Sequence, residues 1–233
     1  MLQAPHAPHS WAPWQQPETE ALWARIAHLE AYTRVLKAEK EELKEEVRQA
    51  LTCPTTDLWT LRGWQQQARP MVADGTTVVV FCDLNKFKPV NDTYGHHVGN
   101  AVLKIIGRRL TTWCAPLKGV PGRAGMGDEF VAAFRPVTQL QAHLRDLKAA
   151  ITTPIRWGGH TLSVGVSIGT EYTVGRGDRG ALERLEAAVE AADQKMYDEK
   201  RVFYEEPGND RRGRPVLPPR ETGADASGPV ATE

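Results

Sequence analysis

FCDLNKFKPVNDTYGHHVGN (residues 81–100) and AGMGDEF (residues 124–130) decide how this chain is read. The first follows TTVVV, residues 76–80, a β-branched run that predicts a buried strand with Asp83 at its tip. In the second, Gly125 and Gly127 supply a turn composition, Asp128 and Glu129 follow, and VAAF (131–134) reads as a returning strand. The segment is therefore a hairpin with carboxylates at its bend. Taken singly, an acidic turn is most simply a cap on backbone amides. Two that face one another are a different object, because Asp83 and Asp128 can share one or two hard cations where phosphate oxygens and water complete the shell.

Working outward, 29 basic and 29 acidic residues cancel, so no overall field draws the chain to nucleic acid or to an anionic membrane. No apolar run reaches the roughly 18 residues that a spanning helix needs. The opening MLQAPHAPHSWAPWQQPE lacks the basic region and apolar core of a signal peptide, so a soluble, cytoplasmic protein is expected. Cys53, Cys82 and Cys114 have no metal-ligand spacing, and their odd number suggests reduced thiols that act as small buried hydrophobes.

Residues 1–17, rich in Pro, His, Gln and Trp, read as a flexible arm. Over 18–51 the pattern changes: Leu22, Leu29, Leu36 and Leu43 recur every seven residues without Gly or Pro between them. With these leucines at d, the a positions are Ile26, Thr33, Lys40 and Val47, a mixture that favours a two-stranded parallel coiled coil and hence a homodimer. Glu39 and Lys44 are spaced for a pair between the two helices. A single amphipathic helix lying on its own domain is the competing reading.

Residues 52–204 read as one domain. Helical signals over Trp64–Val72 precede the Asp83 strand, and Val98, Val102, Ile106, Leu110 and Trp113 keep helical spacing after the intervening loop. A further helix is expected over Val137–Thr152, then a long strand over His160–Val174 with Ile155–Trp157 as a hairpin partner. The last helix carries Leu182, Leu185, Val189, Ala192 and Met196 as one stripe, with Lys200 emerging one turn beyond at the edge of the core. From residue 205 to 233 the dense Pro, Gly and charge predict a disordered tail. The element order gives an α+β fold, an antiparallel-rich sheet with helices on one side, preceded by the long coiled-coil helix.

DLNKFKPVNDTYGHHVGN (83–100), MGDEF (126–130), LSVGVSIGT (162–170) and EAADQKMYDEK (190–200), in this order, resemble the GGDEF family of bacterial diguanylate cyclases. The resemblance implies a nucleotidyl-cyclase or palm-type ferredoxin-like domain that condenses two GTP into cyclic di-GMP, each 3′-hydroxyl attacking the other α-phosphate, with Mg2+ (or Mn2+) as cofactor. Carried over residue by residue, it implies Asp83, Asp128 and the Leu84 carbonyl as metal ligands. It implies Lys88 and Lys200 on phosphates, Asn91 and Asn100 at guanine, Gly127 at the nucleotide, and Glu129 as a further metal ligand or as acceptor of the hydroxyl proton. Catalysis would rest on Asp128 and Glu129. Two half-sites must meet, and the coil would bring them together.

Four departures from the family pattern stand out. Met126 replaces the first Gly of the signature, where steric loss is expected, with Gly125 supplying turn freedom. Asn100 replaces an Asp; an amide presents one acceptor and one donor where a carboxylate presents two acceptors, which weakens guanine and suits adenine. Tyr204 stands where the family commonly has Arg. LKGV (117–120) replaces the usual inhibitory product site, so no feedback inhibition is expected there. Two alternatives to a cyclase remain: a nucleotide-binding module without turnover, and an interaction protein whose coil takes another partner.

Overall fold

A computed structural model of the chain describes residues 16–206 and Asn209. The arm expected over 1–17 and the tail expected over 205–233 lie, except for their innermost residues, outside the described residues. The chain divides after Ala50 into two compact units. The first is a single helix, α1 (Gln16–Ala50, 35 residues). Leu22, Ile26, Leu29, Leu36, Leu43 and Val47 remain 42–62% exposed along it, so the heptad positions form an uncovered apolar stripe consistent with a coiled coil. Lys44 reaches Glu41 on its own helix at 2.7 Å, and Arg48 reaches Glu45 at 2.7 Å; such exposed pairs contribute little.

The second unit contains β1 (Trp59–Thr60), α2 (Leu61–Asp74), β2 (Thr77–Asn85), α3 (Phe87–Tyr94), α4 (His96–Cys114), a 3-10 turn (Ala115–Leu117), β3 (Val120–Arg123) and β4 (Glu129–Phe134). It continues through α5 (Leu140–Thr152), β5 (Ile155–Trp157), β6 (His160–Leu162), β7 (Gly165–Thr173) and α6 (Ala181–Glu205). Five strands form one sheet in the order β1-β3-β4-β2-β7, antiparallel except for β1 beside β3. The fold is α+β, as the element order implies.

Helices cover both faces of this sheet, which corrects the expectation of one. Every residue of β2 is buried. Val78, Val80, Cys82 and Leu84 join a core with residues of α3, α4 and α5, whereas Val79 and Phe81 join a second core with Trp64, Ala68 and Val72 of α2 and Leu185, Ala192 and Met196 of α6. The cause lies in TVVVF itself: a continuous apolar run, unlike an alternating one, must be covered on both sides.

Two further expectations change. The segment after Asp83 is a helix, α3, and not a loop, anchored by buried Phe87 and Val90 three residues apart. The long strand over His160–Val174 is broken. Its first part, β6, turns back on β5 through Gly158 and Gly159 at φ 52° and 79°, while β7 joins the main sheet against β2. Among the described residues no helix is long and apolar enough to cross a membrane.

The seating of α6 depends on Gly169 in β7. A Cβ there would fall onto the Ala192 carbonyl and crowd the Met196 amide, so only glycine lets the helix backbone lie directly on the strand. Gly169→Ala is expected to destabilise the protein by about 3 kcal/mol, as overpacking against rigid backbone does. Urea unfolding monitored by circular dichroism reads it, and a midpoint equal to that of the unaltered protein would refute the close packing.

Candidate active site

The two acidic stretches meet edge to edge. Register pairs Asp83 of β2 with Glu129 of β4, and the Leu84 amide donates to the Asp128 carbonyl at 3.2 Å. Asp83 is not the strand tip, because β2 runs on to Asn85, opposite Gly165 of β7. The carboxylate is thus held in the middle of three strands. By the pleat it shares the face of Val79 and Phe81, the face that α6 covers.

On α6, Ala188, Ala192 and Met196 are buried at four-residue spacing, and Lys200 continues the row. Its Nζ lies 2.5 Å from Asp83 Oδ1, with side chains 24% and 7% exposed. The row ends at the core edge, as expected, but the stripe read from the sequence is corrected at its start: Leu182 is exposed, and Ala181 and Ala188 are buried with Leu185, Ala192 and Met196. Burial nevertheless pushes the Asp83 carboxyl above its ordinary value, against the pull of Lys200. Burial, and then the Asp83 charge, raise Asp128 to about 6. Burial followed by Asp83 and Asp128 raises Glu129 as well. Three carboxylates therefore repel one another where water screens them poorly, with one ammonium paired to Asp83.

The bend carrying Gly127 and Asp128 is shaped from behind. Arg123, only 6% exposed, donates through Nη2 to the Met126 and Gly127 carbonyls at 3.0 and 2.7 Å, through Nε to Gly127 at 3.1 Å, and through Nη1 to Cys53 Sγ at 3.0 Å. Gly125 takes φ 117°, supplying the turn freedom. Met126 is 97% exposed, so its side chain crowds nothing within the protein. A Cβ at Gly127 would also meet nothing within 4 Å.

Lys88 and Asn91 lie one turn apart on α3, and Asn100 lies in the first turns of α4, Lys88 and Asn100 being exposed. The Asn91 amide sits directly on Gly99, where any Cβ would collide with its oxygen. Asp83, Leu84, Asp128, Glu129 and Lys200 are thus brought together. Lys88, Asn91 and Asn100 make no hydrogen bond or ion pair with the carboxylates among the described residues.

Sequence reasoning missed the parts played by Arg123, Cys53, Tyr204 and Asp193. Arg123 and Cys53 meet across 70 positions, and Tyr204 accepts from the Lys86 amide across 118. Asp193 adds repulsion at Asp83 and Glu129, and its place seven residues before Lys200, two turns of one helix, was a usable signal.

Among the described residues no group of three or more His, Cys, Asp or Glu forms a ready cation cage. The donor set nonetheless fits magnesium, being hard oxygens whose mutual repulsion an added cation relieves, in a partial shell of the kind that substrate phosphates complete.

Residues 54–203 match the family described as diguanylate cyclase, GGDEF domain. An uncharacterized 19.3 kDa protein from the repSA 5' region of Streptomyces ambofaciens is 35% identical over 161 residues, covering 69% of this chain and 80% of that protein. Diguanylate cyclase DgcP of Pseudomonas aeruginosa is 33% identical over 192 residues, and the match spans 78% of this chain but 27% of that protein. Among solved structures, a sensory box/GGDEF family protein from Caulobacter crescentus superposes with TM-score 0.54 at 28% identity, covering 65% of this chain and 99% of that one. The coiled coil and GGDEF domain of DgcB from Caulobacter crescentus, in complex with c-di-GMP, shares the fold at TM-score 0.58 and 22% identity, covering 78% and 95%.

Lys200 occupies an oxygen of Asp83 that a cation would otherwise take. Lys200→Ala leaves a buried carboxylate without its partner, which is expected to lower stability by about 2 kcal/mol. Magnesium alone should then raise the melting temperature of the variant more than that of the unaltered protein, because Asp83 is released for it. Equal magnesium responses in a thermal melt would refute this competition.

Proposed function

Because the chain belongs to the GGDEF family of diguanylate cyclases, we propose that it condenses two GTP into cyclic di-GMP at a magnesium-dependent site completed by two copies of the chain. The observation that carries this reading is the crowding of Asp83, Asp128 and Glu129 beside Lys200, a distribution of charge that calls for cations and phosphate together. In each of two transfers a 3′-oxygen to α-phosphorus bond forms as the bond from that phosphorus to pyrophosphate breaks, giving the cyclic dinucleotide and two pyrophosphates.

Asp83, Asp128 and the Leu84 carbonyl would hold Mg2+, or Mn2+ in its place. When bound, the cation neutralises the triphosphate and stabilises charge on the transferring and leaving groups. Lys200 exchanges Asp83 for phosphate oxygens, and Lys88 supplies a second, mobile point charge from α3. Asn91, fixed against Gly99, orients the base. Gly127 presents backbone without a side chain. Glu129 either adds an oxygen ligand or accepts the hydroxyl proton.

We place the protein in the cytoplasm as a homodimer through α1, the uncovered stripe of Leu22, Leu29, Leu36 and Leu43 being the surface that supports it. Residues 117–120 close a 3-10 turn and open β3, and we expect no product inhibition there.

A second reading concerns the purine. Asn100 presents an exposed amide near the start of α4, whose acceptor and donor complement adenine better than guanine, so a mixed cyclic dinucleotide is the alternative product.

Mass spectrometry after incubation with magnesium and GTP, ATP or both tests these readings against an Asp128→Ala control. Cyclic di-GMP, absent in the control, is expected from GTP; a mixed product from both nucleotides establishes the second reading. Nucleotide-dependent thermal stabilisation without any product would replace the cyclase by a nucleotide receptor.

Lysine at both Leu29 and Leu36 is expected to yield a monomer by sedimentation equilibrium. Because tethering supplies an effective concentration on the order of millimolar, turnover per molecule should fall by about a hundredfold at micromolar protein. Unchanged turnover by a monomeric double variant would exclude the coil from the reaction.

A further inference from the structure

We infer that Tyr204 is a positioning residue that holds the joint between the carboxylate strand and the nucleotide helix. The inference rests on the reading of Asp83 and Leu84 as cation ligands and of Lys88 and Asn91 as nucleotide contacts. A single residue, Lys86, separates β2 from α3 and so fixes how the two sets are arranged.

Lys86 stands at φ 62° and ψ 23°, a left-handed conformation that a residue with a Cβ adopts only at a cost. The Tyr204 hydroxyl accepts the Lys86 amide at 3.1 Å. The Lys86 side chain is held from the end of α6 and from just beyond it: its ammonium lies 5.6 Å from the Phe203 ring centroid and 2.9 Å from Asn209 Oδ1. One turn earlier on that helix, Lys200 holds Asp83. The end of α6 thus grips the joint at two points, three residues apart along the chain, by a charge and by a hydroxyl.

Tyrosine suits this task for a chemical reason. Its hydroxyl can accept an amide proton, whereas the guanidinium of an arginine, the family's common residue here, has no acceptor. An arginine at 204 could not hold the Lys86 amide.

The decisive variant is Tyr204→Phe, which removes one oxygen and keeps the ring. It should speed hydrogen exchange at the Lys86 amide, read by NMR, and weaken magnesium–GTP binding about tenfold, with kcat near that of the unaltered enzyme and the melting temperature changed little, as expected when a left-handed residue loses its hold. Adding Lys86→Gly, which populates the left-handed region without that cost, should restore most of the affinity.

Three results overturn the inference: unchanged exchange at Lys86, faster exchange with unchanged affinity, or lost affinity that follows a large fall in melting temperature and is not restored by glycine. Absence of cyclic dinucleotide from the unaltered protein would remove the cyclase reading alone, because binding and exchange are still measured. Absence of magnesium–GTP binding by the unaltered protein would remove both.

Discussion

The site depends on the register of β2. Its odd-numbered residues belong to the core with α2 and α6 and its even-numbered residues to the core with α3, α4 and α5. A slip of one residue would turn Asp83 away from Lys200 and into the core with α3, α4 and α5, and would bring Leu84 to the carboxylate face. Two cores of different shape, one on each side, prevent that slip, and the Leu84 amide on the Asp128 carbonyl adds a backbone check. The same nine residues hold the domain together and aim its chemistry.

Helix α6 is the second element on which this arrangement rests, and it does three things at once. Its apolar row closes one core, and Gly169 lets that row come down onto β7. Its charged residues cover the outer edge of β7, where Glu199 accepts the Ile168 amide at 3.2 Å and Lys195 donates to the Thr170 carbonyl at 3.1 Å, satisfying groups that an edge strand would otherwise offer to another chain. Beyond these, Lys200 reaches Asp83 and Tyr204 accepts the Lys86 amide. Misplacing the helix would disturb core, edge and site together.

Features written in local period were legible in the sequence. The strand before Asp83, the hairpin bearing Asp128 and Glu129, the α6 stripe ending in Lys200 and the heptads of α1 all declare themselves by spacing. What stayed hidden was short or non-local. Only Phe87 and Val90 bury within α3, amid Pro, Asn and Asp that read as loop, and β1 is two residues long. Coverage of both sheet faces was written in TVVVF but overlooked. The contacts of Arg123 with Cys53 and of Tyr204 with Lys86 leave no sequence signal, since each joins side chain and partner across 70 or more positions.

The variant signature can be separated into what shapes the turn and what faces outward. Gly125 supplies the positive φ, and Arg123 gathers the carbonyls of Met126 and Gly127 from inside. Neither depends on the identity of residue 126, whose side chain stands almost wholly in solvent. The turn is therefore the same object with methionine as it would be with glycine, and it holds Asp128 and Glu129 by the same bonds. The steric consequence of Met126 falls on whatever approaches the turn. Asn100, exposed on α4, belongs to the same class, which separates the residues that build the carboxylate cluster from those that would choose its ligand.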